Sequence, residues 1–139
     1  MNNLTAVQFE FMPFKEQIEI LVHGDVFVSV VGSSSVNMIY MVPHSVVISA
    51  MPPYQVAPFF DNLAKFSRIH YMTIYNTTAP IVEECKEYIT TIGQIRENNS
   101  CHTLYYYGNV YIPPGVLYDY TRLAQDYVKF YKYYGFEKY

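Results

Sequence analysis

The sequence predicts an α+β fold, mixed α/β in content: a largely antiparallel sheet of about six or seven strands, opening as an N-terminal meander and packed with three amphipathic helices. Three observations predict it. The N-terminal half alternates apolar and polar side chains between turn residues, the period-two pattern of half-buried strands. The C-terminal half carries three stretches with apolar residues at helical spacing. Hydrophobic residues make up 51% of the 139-residue chain and charged residues 15%, where about 25% charged is usual, so there is ample apolar surface for a core.

Each element follows from local chemistry. Val7, Phe9 and Phe11 alternate with Gln8 and Glu10 until Pro13, and Ile18, Ile20 and Val22 repeat the pattern, so both runs are predicted strands. Gly24-Asp25 then has the composition of a two-residue hairpin leading into Val26–Val31. Gly32-Ser33-Ser34-Ser35 forms the next turn, followed by strands Met38–Val42 and Ser45–Ala50. Pro52 and Pro53 introduce a helix to Arg68, with Pro58 either a kink or the true first turn. A short strand spans His70–Tyr75.

The second helix begins near Pro80, with Ile81, Val82, Cys85, Tyr88, Ile89 and Ile92 on one face and Glu83, Glu84 and Glu87 opposite. Thr103–Ile112 reads as a hairpin around Gly108-Asn109. The last helix, Val116–Tyr134, has Val116, Tyr120, Leu123, Tyr127, Phe130 and Tyr134 as its predicted inner stripe, with Gly135 as C-cap. Repeats, linkers and low-complexity tracts are absent from the sequence, which predicts one domain over residues 1–139.

Two cysteines, Cys85 and Cys101, do not make a disulfide framework. An unbroken helix between them would hold their Cα atoms roughly 20 Å apart at 1.5 Å per residue, beyond the ~7 Å a disulfide allows. The expectation is two free thiols in a reducing compartment. The opening residues lack the basic and apolar regions of a signal peptide and no apolar run is long enough to span a bilayer, so a cytoplasmic location is expected, that of a host if the chain is virus-encoded. A short, Tyr-rich, motif-free composition has the flavour of small viral reading frames. Sequons at Asn3, Asn76 and Asn98 are read as coincidental.

Between Val26 and Phe60 there is no Asp, Glu, Lys or Arg. Such a stretch has two explanations. Central strands covered on both faces lose their polar alternation, or an apolar surface awaits a partner. Sixteen Tyr and no Trp fit the second, because Tyr joins an apolar body to a polar tip.

Motifs for chemistry are weak throughout. Cys101-His102 lacks the ligand spacing of a zinc site, and no metal or other cofactor is expected. Gly32–Ser35 lacks the Lys and the spacing of a phosphate-binding loop, and the sequence has no nucleophile elbow. The leading functional expectation is therefore a non-enzymatic interaction or assembly protein that self-associates, most simply as a homodimer, with Val28, Val30, Ile39 and Tyr40 at the interface. The alternative is a ligand-binding domain or enzyme with a pocket formed by His70, Tyr105 and Tyr107. A third reading places nucleic acid on Arg122, Lys129 and Lys132 of the last helix. The net charge of −3 argues against it.

Overall fold

The computed structural model describes residues 5–91 and 94–134. It corrects the predicted sheet. Three parallel strands, β1 (Val26–Val30), β2 (Val46–Ala50) and β3 (His70–Ile74), lie in the order β1-β2-β3. Helices account for most of the remaining regular structure: α1 (Phe14–His23), α2 (Pro58–Ser67), α3 (Asn99–Tyr107) and α4 (Pro114–Tyr134). Shorter 3-10 helices cover Phe9–Phe11, Ser33–Tyr40, Glu83–Tyr88 and Gln94–Glu97. Among the described residues there is no antiparallel meander: of its five predicted strands, most of Val7–Phe11 and of Met38–Val42 is 3-10 helix, Ile18–Val22 lies in α1, and Val26–Val31 and Ser45–Ala50 supply β1 and β2, which pair in the parallel sense.

The central strand shows why. All five side chains of Val46-Val47-Ile48-Ser49-Ala50 are buried, the pattern of a strand covered on both faces. Parallel neighbours need a crossover, and both crossovers pack on one face of the sheet. The 3-10 helix Ser33–Tyr40 joins β1 to β2 and α2 joins β2 to β3. Together with α1 they place Leu21, Met38, Phe60 and Ala64 against Val47, with Phe27 and Tyr71 packed alongside. On the opposite face α4 brings Ala124 and Val128 onto Val46, Ile48 and Ile74. The register runs Val26↔Val46↔His70 to Val30↔Ala50↔Ile74.

The predicted strand Ile18–Val22 is the last half of α1. Five alternating residues also fit one helical face, and Leu21 is the buried residue of that helix. Helix α1 is closed by local chemistry: Gly24 N–H donates to the Leu21 carbonyl, and a His23 ring nitrogen meets the Glu19 carbonyl at 2.8 Å. Gly24-Asp25 thus leads from helix to strand and is no hairpin. Helix α2 starts at Pro58, which occupies the first turn. Arg68 ends it in the left-handed region at φ 58°, its N–H shared between the Ala64 and Lys65 carbonyls.

Helix α4 begins at Pro114, and its inner stripe is rotated from the predicted one. Ala124 and Val128 are buried while Leu123 and Phe130 are exposed. The small Ala124 side chain lets the helix approach β2 closely, and that contact fixes the rotation more firmly than the bulkier neighbours could. Gly135 lies outside the described residues.

The segment between β3 and α4 departs furthest from expectation. The predicted helix after Pro80 is two 3-10 helices, and the first half of the predicted Thr103–Ile112 hairpin is the end of α3. Cys85 and Cys101 are disulfide-bonded with Cα atoms 5.7 Å apart, so neither is free. The 20 Å estimate failed because the intervening helix is broken. With the thiols paired, the inference to a reducing compartment loses its basis, since such bonds persist in oxidising surroundings. Cys85, Ile95, Cys101 and Tyr105 form a small core of their own. Asn98 caps α3 by accepting the Cys101 N–H at 3.1 Å. A Cβ on Gly108 would lie 2.4 Å from the Leu104 carbonyl oxygen, so the residue ending α3 must be glycine. Thr78 and Tyr111 then exchange two backbone hydrogen bonds, closing the segment at its base.

Candidate functional site

The three residues proposed for a pocket do not converge. Tyr105 is buried in the disulfide core, where its hydroxyl accepts the Val82 N–H at 3.0 Å and donates to the Pro80 carbonyl at 3.2 Å. Both polar capacities of that hydroxyl are spent on backbone. Tyr107, two residues on, is exposed. His70 opens β3 and stacks on Tyr127 of α4 with ring centroids 4.1 Å apart.

That stack belongs to a ladder. Tyr127 contacts Tyr131 at 4.6 Å, and Tyr131 lies parallel to His44 at 4.6 Å. The ladder ties the C-terminal half of α4 to the residues that enter β2 and β3. Burial holds the His70 imidazole below its ordinary pKa. Burial, aided by Tyr131, pushes the Tyr127 phenol up to about 12. Both shifts favour the neutral forms, which suits a stacked joint better than proton transfer near neutral pH. Among the described residues no group of three His, Cys, Asp or Glu is placed to hold a metal ion.

The basic residues proposed for nucleic acid are all exposed on α4. Lys132 is committed, however: its ammonium pairs with Asp25 at 2.7 Å, tying α4 to the start of β1. Arg122 and Lys129 remain on a helix that also exposes Asp119 and Asp126. This surface has mixed charge and does not form a basic stripe.

The four residues proposed for an interface all reach the surface. Val28 and Val30 on β1 are 39% and 42% exposed, and Ile39 and Tyr40 on the following 3-10 helix 43% and 37%. The reason lies in the strand order. β1 is an edge strand, and α4 covers Val26 but leaves Val28 and Val30 largely open. On the other face Phe14 meets Tyr40 edge to face at 5.8 Å. Phe9 stacks on Phe27 at 5.7 Å.

A cleft of about 1070 Å³ follows this edge. Its walls include Val26–Ser29, residues 5–10, Ile20 and Leu21 of α1, and Ser33 and Ser34. Sequence reasoning missed it. The signal was present in the uncharged stretch, but only the strand order shows which part of that stretch lies at an edge. Gly32–Ser35 enters a 3-10 helix at the C-terminal end of β1 and not a strand. The hydroxyl of buried Ser35 is 3.5 Å from that of Ser29. Hydroxyls alone, without a neighbouring base or cation, give this end of the cleft no evident chemistry.

No helix among the described residues is long and apolar enough to cross a membrane. Comparisons with protein-family models, with curated proteins and with solved structures found no match, so the reading of function rests on this geometry.

Proposed function

We propose that the chain is a non-enzymatic assembly protein that associates with copies of itself through the β1 edge and the adjoining 3-10 helix. The observation that carries this reading is an uncharged edge strand with exposed valines. Edge strands are usually guarded by charged residues, Pro or a bulge, because their unpaired backbone invites another strand. β1 has none of these, and the apolar surface continues onto Ile39 and Tyr40. A two-fold contact is the simplest outcome, since one patch then serves both subunits.

Sedimentation at tens of micromolar tests the reading. Wild type should sediment as a dimer, and Val28→Lys or Ile39→Lys as a folded monomer, because each would bury an unpaired ammonium in the contact. Both side chains are exposed in the single chain, so the substitutions leave its core intact. A monomeric wild type at that concentration would refute the proposal.

A further inference from the structure

The geometry points to one mode of association: antiparallel pairing of β1 with β1 of a second copy, centred on Val28, to make a continuous six-stranded sheet. This inference rests on the self-association proposed above and specifies its register. The backbone supplies the first argument. The Asp25 carbonyl accepts from Val46 N–H, and Val31 N–H donates to the Ala50 carbonyl. Odd-numbered residues of β1 therefore turn their N–H and C=O toward β2. Val26, Val28 and Val30 turn theirs outward, where no strand pairs with them among the described residues.

An antiparallel partner centred on Val28 satisfies every outward group. Val28 exchanges two hydrogen bonds with its own copy, and Val26 exchanges two with Val30 in each half. The same arrangement sets the three valines of one copy beside the three of the other, on the face where α4 leaves Val28 and Val30 exposed.

The second argument is that the sequence is self-complementary about this point and so favours a second copy over an unrelated strand. Gly24 and Gly32 lie equally far from Val28 on either side. In the paired ladder each glycine falls opposite the other, so neither end carries a side chain that could obstruct the approach. Phe27 falls opposite Ser29, large against small. Asp25, the charged residue at the border, is already paired with Lys132 of its own chain and falls opposite Val31. No like charges oppose one another.

Single cysteines test the register. Cys85 and Cys101 are bonded to each other, so an introduced cysteine is the one free thiol of the described chain. Directly opposed residues in a hydrogen-bonded antiparallel pair have Cα atoms about 5.5 Å apart, within disulfide range. Val28→Cys should therefore give a covalent dimer under mild oxidation. Val30→Cys alone should not, because the two sites lie about 14 Å apart, whereas a mixture of Val26→Cys and Val30→Cys should cross-link. Circular dichroism matching wild type verifies that each variant is folded. A sedimenting dimer in which Val28→Cys stays reduced, or in which Val30→Cys cross-links with itself, would overturn this pairing and leave self-association standing. A monomer would overturn both.

Discussion

Reducing the Cys85–Cys101 disulfide should open the segment around it while leaving the sheet folded. The bond joins residues 16 apart, and closing a loop of that length stabilises the folded state by about 3 kcal/mol in the chain-entropy model. That is as much as full burial of a large aliphatic side chain, about 1.5–3 kcal/mol, and the buried part of the core it staples is, among the described residues, Cys85, Ile95, Cys101 and Tyr105, with Tyr54, Ala79, Val82, Tyr88 and Ile89 packed against it. Four attachments to the rest of the chain stand out among the described residues. They comprise the edge-to-face contact of Tyr54 with Tyr105, the bond from the Arg96 guanidinium to the Val56 carbonyl, the Thr78–Tyr111 bridge and the Thr77 hydroxyl on the Met51 carbonyl. Two of these lie at the ends of the segment, at Thr77 and at the Thr78–Tyr111 bridge, and the other two hold Arg96 and Tyr105. Hydrogen exchange with and without a dithiol reductant should therefore show amides of Val82–Tyr107 losing protection by about two orders of magnitude, the equivalent of 3 kcal/mol. Amides of β2 should be unchanged. Equal loss of protection in β2, or no change anywhere, would refute the view of this segment as a separately stapled unit.

Three further outcomes follow from packing and titration. Tyr105→Phe should cost about 0.5–1.5 kcal/mol in denaturant unfolding, since it takes from the partly buried Val82 N–H and the Pro80 carbonyl the hydroxyl they share. Ala124→Leu should destabilise by about 1–3 kcal/mol, because that position sits fully buried against β2 and has no room for added methylenes. Stability should decline as pH falls through 6.5. The His70 pKa is lowered in the fold, so the unfolded chain takes up the proton first. Comparing urea midpoints at pH 8 and pH 5 for wild type and His70→Phe should show a smaller difference in the variant.

Legibility of the fold in the sequence varied with the kind of signal. Helix α4 and strand β3 were readable because Pro and a long apolar stripe act locally, whereas the start of α2 was not, since Pro52-Pro53 and Pro58 offer the same signal and only Pro58 begins the helix. Strand direction was not. The uncharged run that becomes β2 is what a doubly covered parallel strand requires, yet the same composition suits an antiparallel strand with a partner on its second face. Segment 14–23 was ambiguous for another reason, since Ile18, Ile20 and Val22 satisfy period two while Phe14, Ile18 and Leu21 satisfy the helical period. Tyr105-Tyr106-Tyr107 carried strand propensity that the Asn98 cap and the disulfide override. For the candidate site, Val28, Val30, Ile39 and Tyr40 could be named from the uncharged stretch, but which of them face outward could not. Their place at a sheet edge depends on strand order, which no local pattern encodes.

The arrangement of layers has a consequence for how the chain is made. Among the described residues, the helices whose buried side chains pack on the first face of the sheet lie before β3, but the second face is covered by α4, some forty residues further along. On a ribosome adding about 5–20 residues per second, the three strands emerge several seconds before the helix that shields Val46, Ile48 and Ile74. During that interval a nascent chain presents a bare apolar face as well as an open edge. A chain stopped at Pro113 would keep that face permanently, and its partition into the insoluble fraction, against a soluble full-length product, would reveal the cost of finishing the protein last where its sheet needs cover most.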